Sequence, residues 1–223
     1  MTGATAAGGL VGVAPELHAH GEATAGLAAA VWRFPGPVLV VSSAPLGGGL
    51  GLCRWVLNAQ VPATYDRLDP AEHLTELAAA LGLEGGGVGM LTAVDVRTMV
   101  SRIDGGARAD VSVGLGHPTW AADEDGAHQP PGAGTVNVVA ALPERLSEAA
   151  LVNAVVTVTE AKSQALWEAG VPATGTASDA VCVVCPPDGA AHAFGGPRSP
   201  WGSRLARAVH GAVAAGASRG APR

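Results

Sequence analysis

Aromatic side chains supply only 4% of this chain and cysteine occurs three times, so neither ring stacking nor a disulfide framework can organise its core. Cys182-Val-Val-Cys185 has the spacing of a redox pair, but it lies in Ala180-Val-Cys-Val-Val-Cys, which reads as a buried strand. Residues three apart on a strand point to opposite faces, so these thiols are expected to be structural. Cys53 lies in another strand with no predicted base beside it, which makes it a poor nucleophile. No basic stripe with interleaved aromatics occurs, and a net charge of −6 with pI near 5.6 excludes a general nucleic-acid surface. Apolar runs such as 26–32 fall far short of the roughly 20 residues that span a bilayer. The start, Met1-Thr-Gly-Ala-Thr, lacks the positive charge and apolar run of a secretory signal, so a cytoplasmic location is expected.

Several catalytic signatures are missing too. There is no Gly-x-Ser-x-Gly elbow, no His-Glu-x-x-His pair and no dinucleotide fingerprint, which disfavours serine hydrolases, zincins and dehydrogenases. Gly47-Gly48-Gly49-Leu50-Gly51 is not followed by Gly-Lys-Ser/Thr, and strand-like residues come next, so it reads as a strand-to-strand turn and not a phosphate cradle. His18-Ala-His20 is too small a set for a metal, and Asp123-Glu124-Asp125 lacks the twelve-residue spacing of a calcium loop. No metal site and no cofactor are expected.

What remains is a chain of 223 residues, 48% hydrophobic with 32 glycines, enough for one domain with a core of Ala, Val and Leu. Residues 1–36 form a weakly defined N-terminal segment, 37–215 the domain proper, and 216–223 a disordered tail. Strands are expected at 37–44, 53–58, 88–94, 108–116, 135–141 and 180–185. Helices are expected from Asp69-Pro70 to Gly82, from Ser147 to Ala169 and from Ser199-Pro200 to Ala215, each announced by a cap or a first-turn proline. The stretch 117–134 is long enough to be a lid or a disordered insert. This order predicts an α+β (mixed α/β) fold, a largely antiparallel or mixed sheet covered by helices, with the early strand pair antiparallel.

Lysine is scarce as well: Lys162 is the single one, every other Lys/Arg position being arginine. At about 100° per residue it projects onto the apolar face of its helix, among Leu151, Val155, Val158 and Leu166, opposite a polar stripe that includes Glu160. An ammonium there must snorkel to water, pair with a carboxylate or contact a ligand, and the sequence leaves the three open. The helix runs into a turn rich in hydroxyls, with Thr174, Thr176, Ser178 and the carboxylate of Asp179, where Gly175 permits close backbone approach. The same stretch is also compatible with an ordinary helix-to-strand loop. Asp95 ends a strand, either holding a carboxylate at the sheet edge or simply forming a turn. Asn58 and Gln60 share one strand face, so their amides can meet one ligand.

These blocks together resemble the adenosylcobinamide amidohydrolase family of corrinoid salvage. The resemblance rests on Ser42-Ser43-Ala44, Arg54-Trp55-Val56-Leu57-Asn58, Leu91-Thr92-Ala93-Val94-Asp95, Asn153 with Thr159-Glu160-Ala161-Lys162, Ala173-Thr174-Gly175-Thr176-Ala177-Ser178-Asp179 and Gly195-Gly196-Pro197-Arg198-Ser199-Pro200-Trp201-Gly202, in order over 37–210. It implies hydrolysis of the amide joining the corrin ring to its aminopropanol arm, giving adenosylcobyric acid for cobamide salvage or remodelling. The corrinoid is then substrate and small-molecule partner, and homo-oligomerisation is left open. The catalytic set is Lys162, Asp95, Glu160 and Asp179, and the substrate-binding set is Ser42, Ser43, Asn58, Gln60, Thr174 and Thr176. In one scheme Asp95 or Glu160 is the base while Lys162 and turn amides hold the oxyanion. In a second, Thr174 or Thr176 is the nucleophile and Lys162 its base. A non-catalytic corrinoid-binding protein is the alternative, weakened because no Asp-x-His-x-x-Gly motif is present.

Overall fold

The computed structural model describes residues 7–21, 26–124 and 134–220. In chain order the elements are α1 (Ala7–Val11), β1 (Glu16–Ala19), β2 (Ala28–Ser42), β3 (Gly49–Gln60), α2 (Pro70–Ala80), β4 (Gly87–Thr92), a 3-10 turn (Val96–Thr98), β5 (Val100–Asp104), β6 (Ala107–Val113), β7 (Val136–Ala141), α3 (Glu148–Glu168), β8 (Ala180–Cys185) and α4 (Pro200–Gly220). All strands join one sheet of order β4-β3-β2-β8-β7-β6-β5, with β1 added to β2. The β3–β4 and β7–β8 pairs are parallel and the others antiparallel, including the early pair β2–β3. This is the mixed, helix-covered α+β single domain read from the sequence.

The N-terminal segment is more ordered than expected. It contributes β1 and the first half of β2, which begins at Ala28 and not at Pro37. Phe34-Pro35-Gly36-Pro37 looks like a strand break, since proline donates no ladder bond. The strand instead passes through it on a bulge, with a register shift between Arg33 and Val38. The sequence also missed β5, an edge strand whose Ser101, Arg102 and Ile103 are all exposed and so show no alternation. α4 runs to Gly220, past the end expected at Ala215, because Ala217 is still buried on the sheet. Residues 125–133 of the long loop and the last three residues of the expected tail lie outside the described residues. Asp69 precedes Pro70 as expected, yet its carboxylate caps no helix N–H and takes the Arg67 guanidinium at 2.7 and 2.9 Å.

The sheet is curled. Trp32 on β2 donates its indole N–H to Asp110 on β6 at 2.9 Å, and Asn137 on β7 donates to Asn58 on β3 at 2.9 Å. In a flat sheet β2 and β6 would stand about 14 Å apart, three strand spacings. Curling divides the apolar residues into layers. Val111, Val138, Val183 and Cys185 face outward beneath α3 and α4, while Trp32, Val56, Met90, Val139 and Cys182 fill the concave side. α2 covers Leu57 and Trp55 with Leu74. Cys182 and Cys185 thus belong to opposite faces, as the spacing required, and the Cys53 thiol is pushed up to about 12 by burial. Among the described residues no helix is long and apolar enough to cross a membrane.

Candidate active site

α3 starts where the Ser147 hydroxyl accepts the Ala150 N–H at 3.2 Å, and it buries Leu151, Ala154, Val158, Ala165 and Leu166 against the sheet. Lys162 is part of that buried face, only 6% exposed. Its ammonium pairs with Asp179. Of the three fates open to a lysine on an apolar face, pairing is the one the fold adopts. Asp179 also accepts the Val136 N–H at 2.8 Å, the Thr176 N–H at 3.1 Å and the Thr176 hydroxyl at 2.5 Å. Four donors on one carboxylate fix its direction. Lys162 forms no second hydrogen bond among the described residues, so two of its three N–H donors are left over. Gly175 makes the pair sterically feasible, because a Cβ there would overlap both the Lys162 ammonium and the Asp179 carboxylate.

A cleft of about 300 Å³ opens between the ends of β3 and β4 and the starts of β7 and β8; Ser178 and Ala180, on either side of Asp179 in the chain, line it, whereas Lys162, Thr176 and Asp179 do not. Its walls include Val61, Tyr65, Thr92, Thr135 and Ser178. The Thr135 and Ser178 hydroxyls hydrogen-bond each other at 2.7 Å, and each is followed directly in the chain by a residue of the Asp179–Val136 contact. The cleft hydroxyls and the ion pair therefore share one scaffold. At the mouth, Tyr65 shares a 3.0 Å hydrogen bond with His73, whose ring is held below its ordinary pKa by burial and then by Arg67. Arg67 itself is neutralised by Asp69 and Glu76.

A sequence model of the adenosylcobinamide amidohydrolases matches residues 15–222, nearly the whole chain. The chain belongs to this family. A relative in Methanosarcina mazei described as adenosylcobinamide amidohydrolase is 35% identical over 141 residues, 63% of this chain and 66% of the relative. One in Halobacterium salinarum with the same description is 44% identical over 92 residues, 41% of this chain and 38% of the relative. The aligned stretches thus span less than two thirds of either relative's length. The match begins at residue 15, so it takes in the β1 and β2 segments that the resemblance over 37–210 left out.

The expected amidohydrolase residues divide into two groups. Lys162, Thr176 and Asp179 come together as described, and Thr174 lies on the same turn. The Thr174 hydroxyl accepts the Ala121 N–H at 2.9 Å and donates to the Thr119 carbonyl at 3.3 Å, so it fastens the 119–121 segment to the turn. Asp95 does not join them: it caps the 3-10 turn, accepting the Arg97 N–H at 3.0 Å and its guanidinium at 3.1 Å. Glu160 is exposed on the other side of α3, in a groove with Arg207 and His210. Asn58, 1% exposed, donates to Ser112 at 3.1 Å and accepts from Asn137, whose amide also reaches the Leu91 carbonyl, so it ties the curl together. The Gln60 amide oxygen accepts the Ala28 N–H at 3.4 Å. Ser42 and Ser43 fasten β2 to β8 through the Val181 backbone, at 2.9 and 3.0 Å. Thr92, Thr135 and Tyr65 were missed. Thr135 offered one signal, a hydroxyl at the start of a buried strand directly after the long loop.

Proposed function

We propose that this protein hydrolyses the amide between the corrin ring and the aminopropanol arm of adenosylcobinamide. Water adds across the C–N bond: the ring keeps a carboxylate as adenosylcobyric acid, and the amine leaves with the second proton. The observation that carries this reading is the coincidence of the family match over residues 15–222 with a buried ammonium, a fixed carboxylate and two cleft hydroxyls on one scaffold. Lys162 offers its two spare N–H donors to the oxyanion, worth roughly a hundredfold or more in rate for such a donor. Asp179 positions the Lys162 ammonium and is also the carboxylate that accepts the Thr176 hydroxyl. Thr176 suits the nucleophile role better than Thr174: Asp179 takes its hydroxyl proton as the ester forms and the amine leaves, and water then hydrolyses the ester to the acid and restores the hydroxyl, whereas the Thr174 hydroxyl is used structurally. Tyr65, on the cleft wall and bonded to His73, is the hydroxyl placed to protonate the leaving amine. A cytoplasmic setting belongs to the same proposal, and three free, buried thiols fit a reducing compartment.

The test is incubation of the purified protein with adenosylcobinamide, followed by mass spectrometry for adenosylcobyric acid and free aminopropanol. Both products are expected in equal amounts. Saturable binding without either product would leave a corrinoid-binding protein and overturn the hydrolase reading.

A further inference from the structure

The five tryptophans fall into two sets. Trp32, Trp55 and Trp201 are no more than 7% exposed, and each donates its indole N–H, to Asp110, the Gly85 carbonyl and Glu144, at 2.9, 3.2 and 2.9 Å. Trp120 and Trp167 are 41% and 68% exposed, and their rings meet each other with centroids 6.3 Å apart and planes tilted by 58°. In a chain so poor in aromatics, a paired and solvent-facing set is not a by-product of core building.

Both rings are anchored to the Lys162 site. Trp167 lies on α3 one turn after Ser163, whose hydroxyl donates to the Thr174 carbonyl at 3.0 Å. Trp120 sits in a segment laid antiparallel on that turn, with Thr119 N–H to the Gly175 carbonyl at 2.8 Å and Thr174 N–H to the Thr119 carbonyl at 3.1 Å. From Thr174 to the cleft hydroxyl of Ser178 the chain can extend at most about 14 Å. The tryptophans and the cleft thus lie at the two ends of one short turn, Thr174 to Ser178.

We propose that Trp120 and Trp167 form a shelf that stacks the adenine of the substrate's adenosyl group, a deepening that rests on the corrinoid reading above. The choice of adenine over the macrocycle follows from their chemistry. A corrin is saturated around its edge and carries methyl groups and amide arms on both faces, so it presents no bare π surface. Adenine does, and the outer face of one indole, held by its contact with the other, matches a single base and not a macrocycle. The adenosyl group rises from the cobalt while the scissile arm leaves from the ring edge, which places one over the shelf as the other enters the cleft. The shelf makes the enzyme a reader of the upper ligand.

The experiment compares adenosylcobinamide with aquocobinamide, which lacks the adenine, on the full-length protein. Wild type and the Trp120→Ala, Trp167→Ala and Trp167→Phe variants are measured for kcat/KM and for equilibrium binding by quenching of tryptophan fluorescence. Both positions are exposed, so the alanine variants should fold, which circular dichroism checks. The expected result is that the preference for the adenosyl form falls about 5- to 150-fold in the alanine variants and is largely kept by phenylalanine. An equal loss on both corrinoids would move the contact to the macrocycle and overturn the inference, as would no loss at all. Binding that depends on adenine and tryptophan without turnover would sink the hydrolase reading and leave the shelf standing. Normal turnover with an unaltered preference would do the reverse, and binding of neither corrinoid would remove both.

Discussion

Asp95 and Asp179 each close a turn beside a strand, and their carboxylates are used in opposite ways. The Asp95 carboxylate bonds, among the described residues, to Arg97 alone, two residues on, and its side chain is 41% exposed. Asp179 is 12% exposed and gathers donors from α3, from the start of β7 and from its own turn. The first stabilises a local bend that water could stabilise nearly as well. The second holds a buried cation that no other carboxylate among the described residues neutralises, so its loss is felt by the whole fold. A turn aspartate becomes a candidate for function through its distant partners, not through its turn.

Asp179→Ala strains this contrast most. It strands the Lys162 ammonium and two backbone N–H groups, and should cost about 3–5 kcal/mol in urea unfolding together with all measurable hydrolysis. If stability held within 1 kcal/mol, the pair would be no keystone and the contrast would fail. Lys162→Arg comes next. The charge survives, but the guanidinium has to fit where Gly175 leaves room for an ammonium, so we expect at least a tenfold loss in kcat and about 1–3 kcal/mol of strain. An unchanged kcat would mean that position matters less than charge. Asp95→Asn should be nearly silent, under about 1 kcal/mol and within about twofold in kcat/KM, as for exposed local ion pairs. A hundredfold loss of turnover there would return Asp95 to the catalytic set and erase the distinction.

Much of this was legible in the residues, and the parts that were not have physical causes. Caps at Ser147 and Ser199, the hairpin at Gly47–Gly51 and the opposed thiols of β8 are local features, fixed by spacing within a few positions. The projection of Lys162 onto an apolar face was equally local and correct. Its partner was not readable, since helical periodicity says nothing of which turn lies opposite. Asn58 and Gln60, expected to bind ligand, have protein partners in the fold for a related reason. Strand alternation put them on one face, but the curl buries Asn58, whose amide bonds to Ser112 and Asn137, while the half-buried Gln60 accepts the Ala28 N–H through its oxygen. Edge strand β5 carries no alternation at all, and the proline-marked bulge in β2 imitates a break.

The place of β8 has a consequence for how the chain comes off the ribosome. It is the last strand to be made, yet it lies between β2 and β7, which do not pair with each other. Until Ala180–Cys185 emerges, the nascent protein holds two partial sheets whose inner edges face an empty slot. The contacts that close it are among the longest in the molecule, such as Ser42 to Val181 across 139 residues. Ordering of so much chain before such contacts form makes folding slow, and it leaves two hydrophobic edges open to other strands meanwhile. Since Asp179 stands directly before β8, the ion pair forms as that slot fills: the protein acquires its charge centre and its sheet in one late step.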